Sequence, residues 1–198
     1  MGPRRKPRFA PSLLVRCCRC CYGAPTGGGQ PASFDSAVLL STQKRCRTGS
    51  LTASGPHITG AGSILADQSC LQDRGYWEVV VESAEKVSVG VASPQHALGT
   101  DLGDGETSWA LHSTDLAQPL RAGDVIGVAF DQADYPVALR FYLNGQQCAE
   151  VRGPVSDATP IIRLHALTDS VVVNFGDQDF SRGPPNGFTG LLRSRSII

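Results

Sequence analysis

Residues 76–82 have the sequence Tyr76-Trp77-Glu78-Val79-Val80-Val81-Glu82, and their pattern indicates the fold class. Side chains alternate between the two faces of a β-strand, so Trp77, Val79 and Val81 share one face. Glu78 and Glu82 lie on the other face, which we expect to be exposed to water. The segment therefore predicts a strand whose sheet covers a hydrophobic core with one face only.

Further strands are predicted on the C-terminal side of this segment. Residues 87–91 alternate valine with small residues after the turn Glu85-Lys86, which predicts a hairpin with the strand 76–82. Residues 125–130 are almost continuously apolar, as expected of a strand covered on both faces. Residues 160–166 and 171–175 predict a last pair of strands joined by a short polar turn.

The dipeptide Asn144-Gly145 follows a run in which Leu139, Phe141 and Leu143 alternate with polar residues. Asn-Gly supplies the two positive φ angles of a type I′ turn, so a tight hairpin is predicted here. Eight or more short strands in roughly 150 residues favour two antiparallel sheets packed face to face, with a closed barrel as the alternative. The prediction is an all-β protein, an antiparallel β-sandwich.

The chain has 198 residues, of which 41% are hydrophobic and 18% are charged. This length suits one domain with a core large enough to fold without disulfides or a metal. Residues 1–36 contain five prolines and a triple glycine without helical or strand periodicity, which predicts a disordered, basic, cysteine-rich tail before a domain at 37–198. No run of 18 apolar residues occurs, so we expect no transmembrane helix.

Charge is unevenly distributed along the chain. Residues 1–34 carry six basic residues and no acidic one, while the rest holds twelve basic and eighteen acidic residues, so its net charge is −6. An acidic body does not favour nucleic-acid binding by the domain. We expect any contact with an anionic membrane surface to be made by the tail.

Four of the seven cysteines lie together in the tail: Cys17, Cys18, Cys20 and Cys21. A zinc site is disfavoured because the first histidine is His57, far along the chain. S-acylation is favoured because clustered cysteines beside basic residues provide the two signals that stable anchoring needs. An organelle-targeting peptide and a tail without targeting function remain alternatives. We therefore expect a cytoplasmic protein with free thiols, peripherally membrane-associated if the tail is acylated, or organelle-targeted in the alternative.

Five segments resemble the SPRY domain, a bent β-sandwich of the concanavalin-like jelly-roll type that serves as an interaction module. They occur in the same order and spacing: Gly75–Val79, Val89–Ala92, Gly123–Gly127, Phe130-Asp131 and Phe141–Gly145. The chain is similar in particular to the SPRY domain-containing protein 7 family, in which two cysteine pairs precede a single SPRY domain. The matching segments here include Cys17–Cys21, Gly60–Ala66, Leu98–Asp101 and Pro184–Phe188.

The resemblance implies binding without catalysis, with loops at one end of the sandwich contacting a peptide or protein partner. Fold-level similarity supports the class of activity and not the ligand. We expect the loops around residues 94–108 and 131–137 to form the contact surface. Candidate contact residues are Asp101, Asp104, Glu106, Trp109 and Tyr135, because acidic rims and aromatic anchors are common at interfaces. For Trp109 the alternation with Leu111 favours a core position over a surface contact.

The histidines His57, His96, His112 and His165 are scattered and belong to no catalytic or metal-binding motif. We therefore expect neither an enzyme nor a cofactor. The alternative function is a small-ligand or carbohydrate-binding sandwich that uses Ca²⁺ at Asp101, Asp104 and Glu106. A calcium titration of the melting temperature distinguishes the two, because a ligand bound only by the native state raises it.

Overall fold

The computed structural model describes residues 38–43 and 48–193. The predicted tail 1–36 and its cysteine cluster lie outside the described residues. The described ranges contain a 3₁₀ turn at Ser113–Asp115 but no α-helix. The strands are β1 (Thr52–Ser54), β2 (His57–Thr59), β3 (Gly62–Leu65), β4 (Arg74–Ser83), β5 (Val87–Ala92), β6 (Ser108–His112), β7 (Val125–Asp131), β8 (Ala138–Leu143), β9 (Gln146–Arg152), β10 (Thr159–Leu164), β11 (Ser170–Asn174) and β12 (Thr189–Gly190).

The strands form two sheets that pack face to face. The larger sheet has the order β1-β2-β11-β4-β7-β8-β9, with β12 pairing in parallel beside the start of β4. The smaller sheet has the order β3-β10-β5-β6. All other neighbouring strands are antiparallel, which confirms the predicted all-β sandwich.

The core lies between the two sheets. Trp77 and Val79 of β4 pack from one side, and Val89 and Ile162 of the smaller sheet belong to the same buried cluster from the other. These four side chains are fully buried. Burying one large apolar side chain contributes about 1.5–3 kcal/mol, so this layer is the main source of stability of the sandwich.

Two predicted strand pairs are wrong. β4 and β5 form no hairpin, because β4 pairs with β7 and β11 in the larger sheet while β5 pairs with β10 and β6 in the smaller one. Likewise β10 and β11, consecutive in sequence, lie in different sheets. In both cases the intervening turn connects a strand of one sheet to a strand of the other, on the opposite side of the core. Alternation shows which side chains are buried, but strands of both sheets bury theirs in the same layer.

The predicted Asn144-Gly145 hairpin is confirmed. Asn144 and Gly145 have φ angles of 52° and 85°, and they join β8 to β9. The Asn144 side chain also accepts a hydrogen bond from the Val125 amide at 3.0 Å and donates one to Asp124 at 2.9 Å. The turn is thus tied to the start of β7.

The outer face of the larger sheet is covered by the C-terminal segment. Tyr76, Ala129 and Phe188 form a second buried cluster there, with Tyr142 and Phe180 packed against it. This cover explains why residues 125–130 of β7 are buried on both faces, as their continuous apolar sequence predicts. Gly127 leaves room for the Tyr76 ring, since a Cβ at that position would lie 2.3 Å from the Tyr76 hydroxyl oxygen.

Glu78 is buried beneath this cover, so its predicted exposure is wrong. Its carboxylate accepts hydrogen bonds from the backbone amides of Ser181 at 2.6 Å and Arg182 at 2.9 Å, and from the Tyr76 hydroxyl at 3.1 Å. Burial, followed by the negative charge of Glu78, raises the pKa of Tyr76. Glu82, farther along β4, is exposed as predicted.

The strand registers place several loops at one end of the sandwich, which we call the loop end. Arg74 at the start of β4 lies opposite Asp131 at the end of β7, and Ala138 lies opposite Arg152. In the smaller sheet Leu65 lies opposite Ile161. The loops 66–73, 132–137 and 153–158 therefore share this end. Within the described ranges, no helical segment has the length and hydropathy needed to cross a bilayer.

Candidate functional site

The loop 66–73 ties the loops of this end together. The Cys70 amide donates a hydrogen bond to the Ala158 carbonyl at 2.9 Å. The Gln132 side chain donates to the carbonyls of Cys70 at 3.0 Å and Gln72 at 2.9 Å. Three loops that are distant in sequence are thus held in a fixed relation, as a binding surface on a rigid scaffold requires.

Each of these three loops exposes one large apolar side chain. Tyr135 is 94% exposed, Leu71 is 45% exposed and Val155 is 40% exposed. Each loop also exposes one acidic residue close to the apolar one, namely Asp73, Asp134 and Asp157. We call the six side chains together the loop-end surface.

The three acids of the loop-end surface differ from the paired acids around them. Asp131 is shared by Arg74 at 3.3 Å and Arg140 at 3.1 Å. Asp67 pairs with Arg193 at 3.2 Å. Among the described residues, by contrast, the side-chain carboxylates of Asp73, Asp134 and Asp157 have no hydrogen-bond or ion-pair partner. Their charge is therefore available to a ligand.

We expected the loop around residues 94–108 to contribute contacts. In the structure this loop, 93–107, starts at the same end but folds back over the smaller sheet. Leu98 and Leu102 pack there against a small apolar cluster with Leu65 and Ile161. Arg163 holds the loop by donating to the Thr100 carbonyl at 3.1 Å and by pairing with Asp101 at 3.3 Å. This loop lies against the sheet instead of projecting from it.

The carboxylate of Asp104 organises the turn that follows. It accepts hydrogen bonds from the backbone amides of Glu106 at 3.0 Å and of Thr107 and Ser108 at 2.8 Å. The Thr107 hydroxyl, and then these amides, lower the pKa of Asp104. Asp101 and Asp104 thus have different partners, and the described residues contain no cluster of three or more groups able to hold a metal ion.

The structure places the two candidate aromatic residues differently. Trp109 is buried in the main core together with Leu111 and is therefore not available as a surface contact. Tyr135 projects from the loop 132–137. Asp134 lies in the loop 131–137 that we expected to contribute contacts, whereas the other members of the loop-end surface, Leu71, Asp73, Val155 and Asp157, were not expected from the sequence.

Comparison with known proteins identifies the family. The SPRY domain family model matches residues 74–178. Human SPRY domain-containing protein 7 is 30% identical, over 96% of this chain and 100% of the human protein. The chain belongs to the SPRY domain family. Bovine SPRY domain-containing protein 7 is also 30% identical, over 93% of this chain and 98% of the bovine protein.

A solved structure agrees with this fold. The crystal structure of the TRIM65 PSpry domain aligns with a TM-score of 0.53 and 19% sequence identity, covering 70% of this chain and 92% of that one. At this identity the likeness shows the fold alone. SPRY domains are typically non-catalytic interaction domains, so the family assignment supports a protein-interaction module.

Two histidines of this SPRY domain meet at a buried serine. The Ser88 hydroxyl lies 2.7 Å from His112 Nδ1 and 3.1 Å from His165 Nε2. Ser88 is fully buried between the two rings. A serine nucleophile has to be accessible to its substrate. Because Ser88 is buried, its hydrogen bonds with the two histidines are structural contacts of the smaller sheet.

Stability is expected to fall as the pH decreases from 7 to 5. Burial lowers the pKa of His96 and of His165 below their ordinary value of 6.5, and for His165 Lys86 and Arg163 act in the same direction. The unfolded chain then binds more protons than the folded one below about pH 6.5, so the free energy of unfolding decreases on acidification. The stabilisation is fully present above that pH.

Urea titrations at several pH values measure this effect. The free energy of unfolding should increase with pH between pH 5 and 7, because each of the two histidines takes up protons on unfolding, up to one proton per histidine. His96→Asn and His165→Asn should each reduce the slope. The matched control is His57→Asn, because the His57 side chain is half exposed and pairs with Glu82 on the surface. A slope that neither buried-site variant changes would contradict the prediction.

Proposed function

We propose that this SPRY domain is a non-catalytic adaptor that binds a peptide or protein segment through the loop-end surface. The observation that carries the proposal is the exposure of Leu71, Tyr135 and Val155 on three loops tied to one another. Tyrosine is frequent among residues that dominate binding energies, because it buries a large area at low entropic cost.

The anchoring of the loops supports tight binding. Gln72 reinforces the arrangement, since its side chain donates to the Gly190 carbonyl at 2.9 Å and accepts from the Leu192 amide at 2.7 Å. A surface that is ordered before binding loses less conformational entropy when a partner docks. The ligand would contact the apolar side chains and form hydrogen bonds with the loop backbones.

The N-terminal cysteines are proposed to attach the adaptor to a membrane. Cys17, Cys18, Cys20 and Cys21 lie within a segment carrying six basic residues. Each basic residue near an anionic leaflet contributes about 1 kcal/mol, and acylation adds the second signal for stable anchoring. The proposed location is therefore cytoplasmic and peripherally membrane-associated.

Affinity capture with the full chain tests the binding surface. The double variant Leu71→Ser/Tyr135→Ser is expected to retain at most about a tenth of the captured partner, because hot-spot truncations cost 2 kcal/mol or more. Leu167→Ser is the matched control, since Leu167 is 73% exposed at the opposite end of the sandwich. Melting temperatures of all variants should match, since these side chains are exposed. Equal capture by both variants would disprove the proposed surface.

Cell fractionation in the same experiment tests the membrane attachment. The variant with serine in place of all four tail cysteines should leave the membrane fraction while capturing the same partner. Cys148→Ser is the control, because Cys148 lies on β9 in the domain itself. A wild-type chain found only in the soluble fraction would disprove the attachment.

Small-ligand binding is the second candidate function, and one groove favours it. The groove has a volume of about 350 Å³ and lies between β6 and β9, where Leu116, Phe141 and Ala149 are among its lining residues. This volume is at the low end of the range for small-molecule sites. A ligand bound there would raise the melting temperature, and the Leu71→Ser/Tyr135→Ser variant would still bind it.

A further inference from the structure

The N-terminal part of the chain enters the domain beside the loop-end surface. The Leu39 amide donates to Asp67 Oδ1 at 3.0 Å, and the Asp67 amide donates to the Leu39 carbonyl at 2.8 Å. Leu40 also forms a bridge with Ala66. Residues 66 and 67 belong to the loop that carries Leu71 and Asp73. The chain that precedes Val38 therefore joins the domain at this end of the sandwich.

Residues 4–19 can reach every part of the surface. Eighteen residues, 20–37, separate them from Val38. A chain of this length spans up to about 60 Å when extended. The loops that form the surface are tied directly to the loop 66–73, so they lie well within this reach.

The chemistry of residues 4–19 complements that of the loop-end surface. The segment carries Arg4, Arg5, Lys6, Arg8, Arg16 and Arg19, and no acidic residue occurs before Asp35. The surface offers three carboxylates without a partner among the described residues. The segment also holds the apolar residues Phe9 and Leu13-Leu14-Val15, which match the three exposed apolar side chains of the loops.

We propose that residues 4–19 of this chain bind the loop-end surface as an internal ligand and compete there with the partner segment. This inference rests on the proposed function, since it uses the same surface. The basic side chains would face Asp73, Asp134 and Asp157, and an arginine can stack on the exposed Tyr135 ring. A short linker gives a millimolar effective concentration, so even a modest affinity occupies the surface.

Two consequences follow for the partner. The external segment must itself combine basic and apolar residues, since it uses the same carboxylates and apolar side chains. It must also displace residues 4–19, so its apparent affinity rises when the N-terminal segment is engaged elsewhere, for example on an anionic membrane. The internal segment thus acts as an autoinhibitory contact.

A binding experiment on the full chain tests the inference. The probe is a fluorescent peptide of residues 1–22 with Cys17→Ser, Cys18→Ser, Cys20→Ser and Cys21→Ser. It is titrated with the wild-type chain and with a variant in which the six basic residues at 4–19 are glutamine. The glutamine variant should bind the probe at least about tenfold more tightly, because its own segment no longer occupies the surface. Binding should weaken at high salt.

Charge-neutralising changes locate the binding site. In the glutamine variant, Asp73→Asn, Asp134→Asn and Asp157→Asn together should weaken binding of the probe by at least about tenfold. The matched control is Glu85→Gln with Asp115→Gln, which neutralises exposed acids at the opposite end of the sandwich. Asparagine also tolerates the positive φ of 62° at residue 157, so this change preserves the backbone.

Three results would overturn the inference. In the first, the probe fails to bind the glutamine variant. In the second, it binds the wild-type chain and the glutamine variant with equal affinity. In the third, the control changes at Glu85 and Asp115 weaken probe binding as much as the three asparagine changes do. These failures are separate from failure of the adaptor proposal. If partner capture depends on Leu71 and Tyr135 while the probe does not bind, the loop-end surface still binds a partner and only the internal ligand is refuted.

Discussion

Replacing Glu78 by alanine is expected to lower the free energy of unfolding by about 3–5 kcal/mol. The carboxylate is fully buried, and it accepts hydrogen bonds from the Ser181 amide, the Arg182 amide and the Tyr76 hydroxyl. Alanine leaves all three donors without an acceptor inside the fold. Each unsatisfied buried donor costs about 1–3 kcal/mol, so the effect exceeds that of an ordinary surface substitution.

The loss extends to the C-terminal segment. The two amides that Glu78 holds belong to the segment that places Phe180 and Phe188 on the outer face of β4. Without the carboxylate, this segment loses its polar attachment to the centre of the larger sheet. We therefore expect increased hydrogen exchange at residues 180–188 in the variant, beyond the change expected from global stability.

Chemical denaturation with two companion variants checks the assignment. Glu78→Gln keeps the volume and one acceptor oxygen, so its loss should be intermediate. Glu82→Ala is the control on the same face of the same strand, where the side chain is exposed, and should change the free energy of unfolding by no more than about 1 kcal/mol. A loss below about 1 kcal/mol for Glu78→Ala would show that the carboxylate does not hold the segment.

Replacing Gly90 by alanine is expected to cost about 3 kcal/mol or more. Gly90 lies in β5, and a Cβ there would be 2.0 Å from the Trp109 carbonyl oxygen and 2.6 Å from the Ala110 Cα. Both atoms belong to the backbone of β6, the neighbouring strand, so no side-chain rotation relieves the clash. β6 has to move away from β5, which disturbs the core around Trp109.

Gly75→Ala is the matched control. A Cβ at Gly75 would also lie within 2.6 Å of another atom, but that atom is the terminal Leu191 Cδ2 of a flexible side chain. Both glycines lie in strands, so the intrinsic gain in stability from replacing glycine by alanine is similar at the two positions. Melting temperatures should show a much larger decrease for Gly90→Ala. Equal decreases in melting temperature for the two variants would contradict the prediction, because the backbone of β6 would then move as easily as the Leu191 side chain.

Local pattern was sufficient to predict six of the twelve strands in the described ranges, namely β4, β5, β7, β8, β10 and β11. The alternation in residues 76–82 and 139–143 reflects one covered face, and the Asn144-Gly145 turn needs only the φ angles of two adjacent residues. These features depend on neighbours a few positions apart. Glu78 is buried although the alternation predicted that it would be exposed. The residues that cover it, 181 and 182, lie more than 100 positions away in the sequence.

The candidate site was predictable only in part. Tyr135 lies between Asp134 and Pro136 in a short polar connection, a position typical of exposed residues, and it is exposed. Leu71 and Val155 look like ordinary loop residues, and their sequences contain no signal that they share a surface. Trp109 and Asp104 were attractive as residue types, but the core and the loop backbone occupy them.

The sequence by itself determined that this chain is an all-β protein, because side-chain alternation and turn residues act over short distances. The SPRY family followed from the resemblance of five segments in order and spacing, and not from this local pattern. Tertiary structure alone decided which consecutive strands separate into different sheets, and that loops 66–73, 132–137 and 153–158 meet at one end. Those arrangements depend on hydrogen bonds such as Cys70 to Ala158 and Gln132 to Cys70, which join residues more than 60 positions apart. No local pattern encodes such pairings, since they form only when both sheets close over the core.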